Sequence, residues 1–402
     1  MPLPPDFIQK LEFVHPRELA FLHKEKIWPV GGAILEIQNT IRPSDIYCYL
    51  GARFGEPNGI QNFLRSNDSD NLVHWEWTLR YAEGLFSVQG HNYRTEFHFH
   101  GTVAGGRPQE DYTDELVRQI KEDLAAHGQR MGIVRKALES WVEFVNPYQR
   151  IRRSVTTLLS ELDALNLDVE TDHFQDIWDL QRQSPSPDEQ KLQWQAVAER
   201  FTKGFGICFG VRSMLPVLAE SYVNLLLYIL MRPELKSDQR LRENVFRQPI
   251  DVRIKSLGIS CIGFASHPEY KNDACKRYHS LVNERNDLLH GNVVIDKLKF
   301  NEMYFYGTVP VFCEYKSMWQ RALGVEMSAV GLDKVREEMD VVEELIQYLT
   351  TCLEPRIRQQ VADLAESYRL GLNNDNQRLG ILFPTWLVDF RMFPHPPSVT
   401  LQ

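Results

Sequence analysis

Arg285, Asn286 and His290 are the residues of this chain whose types and spacing most readily do chemistry. They close an apolar stripe, Ala274, Tyr278, Leu281, Arg285 and Leu288, stepping by four, three, four and three, which is the signature of a buried helix face. A guanidinium in such a stripe is costly unless something pairs with it. Arg285 supplies a permanent cation with a planar fork of donors, suited to the spread charge of a phosphate. His290 gains or loses a proton near neutrality. Asn286, four residues before His290, lies over it on the helix and can orient either group. RNA cleavage needs this set without a metal. The 2′-hydroxyl is a nucleophile carried by the substrate, so the protein supplies proton transfer and charge stabilisation. A purely structural arrangement accounts for the same residues: Arg285 paired with Glu284, Asp287 or Glu220, and His290 closing the helix C-terminus.

The elements that must hold these residues read as α+β. The first hundred residues alternate with period two, clearest where Val73, Trp75, Trp77, Leu79 and Tyr81 interleave with His74, Glu76, Thr78 and Arg80. Strands are expected over 31–38, 46–54, 73–81, 85–89 and 93–100, with turns at Ala82-Glu83-Gly84 and Gly90-His91-Asn92, giving an antiparallel meander packed on one face. Helices then take over. Thr113 can cap a helix with face Leu116, Ile120 and Leu124, and Gln183 to Asp188 reads as an exposed break. Long helices are expected at about 216–231, 237–257, 268–289 and 333–350, the first opening at Pro216 and the third ending at Gly291. A further helix near 356–370 precedes an extended tail, Phe393 to Pro397. The domains so delimited are 1–105 (β-rich, sensing or regulatory), 106–206 (helical connection), 207–365 (helical, carrying the motif) and 366–402 (C-terminal extension).

Residues 207–350 resemble the HEPN superfamily, the four-helix-bundle domains of many bacterial RNases, toxins and antiviral effectors. The family motif is arginine, a polar residue, three further positions and histidine at the end of the third core helix. Arg285, Asn286 and His290 match it, and the run Asn283 to Asn292 is a close match throughout. The resemblance implies a metal-independent endoribonuclease needing no cofactor, with a composite active site where two HEPN domains face each other. With a single motif in this chain, it implies a homodimer, and places Arg285 in an apolar seam because the seam is the dimer interface. It further implies RNA as substrate, a possible tRNA target, a setting in anti-phage or abortive-infection defence, and a phage-derived or host trigger at the N-terminal domain. The family's toxins silenced by a nucleotidyltransferase carry tyrosine two residues after the histidine. Asn292 stands there instead, which argues against that regulation.

Other residues extend the site or compete with it. Glu220 and Asn224 share a face of the first long helix and can support Arg285 from inside the bundle, or lie at an incompletely buried edge. From Arg232 to Lys255 seven cations stand against four acids in a chain of net charge −9. Arg240, Arg247, Arg253 and Lys255 are the candidate RNA-phosphate contacts there. Tyr304, Phe305 and Tyr306 can stack unpaired bases, although core packing is expected for at least two of them. Glu96, His98 and His100 share a strand face and, with His91 or His74, offer a metal-site alternative. The bland form of that alternation puts Phe97 and Phe99 inward. A catalytically inactive RNA-binding or dimerisation bundle is the other alternative.

The acidic balance argues against a chain coated with nucleic acid or lying on an anionic membrane. Six scattered cysteines without a C-x-x-C pair point to reduced, buried thiols and a cytoplasmic setting. No N-terminal signal pattern is evident, and the apolar run from Met214 to Met231, interrupted by Pro216, Glu220 and Asn224, reads as a buried helix.

Overall fold

The computed structural model describes residues 3–29, 32–62, 72–82, 84–101, 110–167, 187–311, 320–382 and 390–391. The chain divides into two units, Met1–Val142 with Asn373–Gln377 and Ile381–Gln402, and Glu143–Leu372 with Arg378–Gly380. The architecture is α+β: an N-terminal antiparallel sheet followed by a mainly helical region.

In the first unit, β1 (Gly32–Gln38), β2 (Trp75–Tyr81), β3 (Gly84–Gly90) and β4 (Arg94–His100) form the body of the sheet. The last three, consecutive in sequence, make the expected meander, and β1 adds beyond β4. The first turn is tight, with Tyr81 opposite Gly84 and Ala82 at φ 48°. The second returns through a hydrogen bond from the His91 N–H to the Arg94 carbonyl at 3.0 Å. Trp77, Leu79, Phe86, Val88, Phe97 and Phe99 all turn to one face and pack on Ile46, Tyr49, Leu50, Leu116 and Ile120. The last two come from the helix Glu110–Ala137.

The expected strand over 46–54 is instead the helix Pro43–Phe54. Pro43 opens it from an extended Arg42 at ψ 140°, a placement that fits proline's fixed φ and missing donor. Of its buried residues, Ile46, Cys48, Tyr49 and Leu50, Tyr49 and Leu50 follow Ile46 at the helical steps of three and four.

In the second unit, the long helix Pro187–Leu230 packs against Pro147–Ala164, Ile250–Ser260, Asp273–His290 and Val335–Thr351. Pro216 does not begin this helix; it lies inside it. An interior proline removes a backbone donor. Burial of Val211, Leu215, Leu218 and Val223 around it outweighs that cost. The Pro216 carbonyl in turn accepts the Tyr278 hydroxyl at 2.9 Å, tying the long helix to the motif helix. The helix expected over 237–257, with a disturbance at Pro249, is two pieces, Gln239–Arg247 and Ile250–Ser260, and the short helix Pro233–Ser237 precedes them. They break where the Asp238 carboxylate caps the Leu241 N–H and where Pro249 is extended.

Within the described residues one segment, Trp194–Leu230, is long and apolar enough to cross a membrane, and most of its apolar window is buried within the fold, as in the core helix of a soluble protein. Cys48, Cys208, Cys261, Cys275 and Cys352 are free and buried. Burial pushes the Cys208 thiol up to about 11 and Cys261 to about 12. Cys313, the break at 183–186 and the tail at 393–397 lie outside the described residues.

Candidate functional site

The motif helix runs from Asp273 to His290. Asn272 caps it by accepting the Ala274 N–H at 3.0 Å. Gly291, left-handed at φ 61°, ends it and returns its N–H to the Asp287 carbonyl. Cys275, Tyr278 and Leu281 are its buried residues, and Arg285 follows on the same face. Arg285 and Asn286 are half-buried, and His290 is exposed at the terminus. The Arg285 Nε is shielded from solvent and has no hydrogen-bond acceptor. Among the described residues no hydrogen bond or ion pair engages the side chains of Arg285, Asn286 or His290, and none links one to another.

Each acid that could have neutralised Arg285 serves another cation. Glu284 faces the Arg212 guanidinium at 3.4 Å. Asp287 accepts from Lys297 at 2.8 Å and from Asn292 at 3.0 Å, and these bonds hold its carboxyl below the ordinary range. Glu220 is ion-paired to Arg253. The structural pairing expected for Arg285 is therefore absent among the described residues.

The same geometry corrects the roles of Glu220, Asn224 and Arg253. Glu220 and Asn224 do lie on one face, but they hold Arg253 rather than Arg285, with the Asn224 Oδ1 accepting at 2.5 Å. Arg253 is 6% exposed, so its fork is enclosed and not offered to a polyanion. Seen as a sequence, a cation on an amphipathic helix does not reveal which side of the stripe it takes. Burial pushes the Tyr278 phenol, beside this pair, well above its ordinary range.

A second buried pair escaped the sequence reading. Arg212 on the long helix gives its Nε to both oxygens of Glu338, at 2.9 and 2.8 Å, and a terminal nitrogen to the same carboxylate. Its other terminal nitrogen reaches the Val330 carbonyl at 2.8 Å. Burial opposes the charge of Arg212, but the Glu338 carboxylate more than offsets it and raises its pKa. Glu338 sits in register with Val335, Val342, Leu345 and Leu349 on the apolar stripe of Val335–Thr351, and that misplaced carboxylate was the available signal. Arg212, Glu338 and Arg285 line one interior gap, yet Glu338 is bonded to Arg212.

Of the remaining expected RNA contacts, Arg240, Arg247 and Lys255 are exposed. Arg247 is paired with Glu243 at 3.1 Å and Lys255 with Asp251 at 2.9 Å. Tyr304, Phe305 and Tyr306, expected mainly in the core, are 55%, 59% and 83% exposed, on the hairpin Tyr304–Tyr306/Val309–Val311. A two-stranded hairpin has no second layer to bury both faces of its residues.

Glu96, His98 and His100 share a strand face, with Thr95, Phe97 and Phe99 buried on the other. Glu96 is occupied by Arg94 at 2.7 Å, His98 at 3.0 Å and His91 at 3.5 Å. A guanidinium within the cluster repels a metal ion, and no group of three or more His, Cys, Asp or Glu among the described residues has metal-binding geometry. His91 is buried with neither ring nitrogen hydrogen-bonded, and burial draws its pKa below the ordinary histidine value.

Comparison with protein-family models, with curated proteins and with solved structures returned no match to this chain.

Proposed function

We propose that the chain is a metal-independent endoribonuclease of HEPN type that cleaves RNA through 2′-hydroxyl attack. The observation carrying this reading is the unneutralised Arg285, half-buried while Glu284, Asp287 and Glu220 are all committed to other cations. A guanidinium kept in an apolar seam without a counterion is suited to receive one from outside, and a phosphodiester matches its fork. In this reading Arg285 stabilises the developing phosphorane charge, His290 transfers the proton, and Asn286 orients one or the other.

Arg285 and His290 are five residues apart, ~140° around an ideal helix. One helix end thus presents the cation and the imidazole in different directions, which favours a site completed by a second copy across a twofold axis. The exposed Tyr304, Phe305 and Tyr306 can stack unpaired bases, and the exposed Arg240 can meet a phosphate. Defence against phage, with a trigger at the N-terminal unit, is the biological setting this reading proposes.

The test is cleavage of RNA by the full chain in EDTA, with Arg285→Ala and His290→Ala beside wild type. Loss of activity in both variants, with the fold retained, supports the reading. Cleavage that persists in both overturns it. If no RNA is cut, a catalytically inactive RNA-binding or dimerisation bundle replaces it.

A further inference from the structure

A cleft of about 440 Å³ opens beside Arg285, between the C-terminal turn of the motif helix, the segment 292–300 and the segment 328–334. Its wall continues toward Arg285, because Arg212, Glu284 and Leu288 line both the cleft and the interior gap that Arg285 also lines. Its volume is that of a small-ligand site, for which ~300–1,000 Å³ is usual.

The lining decides what would fit. Four cations and four carboxylates border the cleft, so it has no net charge to attract a phosphate. Lys297 is spent on Asp287 and Lys299 on Asp296. Among the described residues three groups remain unengaged: the Ser328 hydroxyl, the Asp333 carboxylate and the Lys334 ammonium. They provide donors and acceptors, and Phe300, 39% exposed, adds an aromatic ring to the lining. A flat, neutral group with an edge of mixed donors and acceptors matches this set.

We infer that the cleft is a nucleobase pocket, receiving the base of the nucleotide next to the phosphate bound at Arg285. This rests on the ribonuclease reading. Phosphate and base are read by separate surfaces one helical turn apart: Arg285 takes the charge, and the cleft past Leu288 takes the ring.

Isothermal titration of the full chain with adenosine, guanosine, cytidine and uridine, each free of phosphate, tests it. At least one nucleoside is expected to bind. Ser328→Trp and Ala329→Trp, exposed substitutions that fill the cleft, should each weaken that binding by about tenfold or more, while Arg285→Ala changes it less than about twofold. Thermal melts of both tryptophan variants identify any that is misfolded, and the other then carries the comparison. Inorganic phosphate should not compete. The inference is overturned if no nucleoside binds, if both folded variants bind as wild type does, or if phosphate displaces the nucleoside. RNA cleavage without nucleoside binding removes the pocket and leaves the nuclease. Nucleoside binding without cleavage of any RNA removes the nuclease, and with it the assignment to a substrate base.

Discussion

The Glu220 carboxylate is bound to Arg253, and Arg285 on the neighbouring helix is left without it. That division separates a structural guanidinium from one that is free to act. Arg253 is enclosed by Glu220 and Asn224, so removing its partner strands a buried charge. Glu220→Ala should cost ~3 kcal/mol, the low end for breaking a buried pair, because Glu220 keeps some solvent contact. Replacing both partners with apolar residues, Glu220→Leu with Arg253→Met, should recover most of it. Chemical denaturation measures both, and a Glu220→Ala cost below about 0.5 kcal/mol would contradict the pairing.

Arg285 should behave oppositely. With no partner to lose, Arg285→Leu exchanges an uncompensated charge for an apolar side chain on the Tyr278 and Leu281 stripe. Stability should be unchanged or higher by ~1 kcal/mol. Scanning calorimetry tests this. A marked fall in melting temperature would show that Arg285 is structural after all.

Arg212 and Glu338 pin the long helix to Val335–Thr351, and both are nearly enclosed. Glu338→Ala should cost ~3–5 kcal/mol. Gly331→Ala should also destabilise, because φ is 64° there and an added Cβ would lie 2.5 Å from the Arg212 Nη1. The two substitutions should be less than additive when combined, since they disturb the same guanidinium.

The meander was legible because its residues alternate strictly and its turns are short. Pro43 is a helix-start signal, but the apolar density of Ile46 to Phe54 is equally that of a strand. Pro216 invited the opposite error, since a proline that suits a first turn is also tolerated mid-helix when burial on both sides is large. In the candidate site, residue types and helix end were legible; the pairings were not. Nothing local distinguishes Arg285 from Arg253 or Arg212. Which guanidinium is neutralised depends on acids 33 and 126 residues away for the latter two. Tyr304, Phe305 and Tyr306 are exposed for a related reason: an apolar run says that burial is favourable, not that this fold offers a second layer.

In the N-terminal unit, His91 and His100 have pKa values drawn below 6.5 by burial. A folded-state value below the unfolded one means that the unfolded chain takes up the proton first. Their contribution is complete above the ordinary histidine value and is lost as pH falls through the lowered one. Melting temperature should therefore decline as pH drops from about 7 toward 5, and His91→Phe should flatten part of that decline. An identical slope in the variant would show that His91 does not titrate across this range.

The most direct measurement is the cleavage rate of a mixed RNA substrate in EDTA for wild type, Arg285→Ala, His290→Ala and a one-to-one mixture of the two variants. The account predicts cleavage by wild type and a loss of ~10²–10³-fold in each single variant. Both variants should melt within a few degrees of wild type. Wild-type rates in both variants, in protein that is folded, would contradict it.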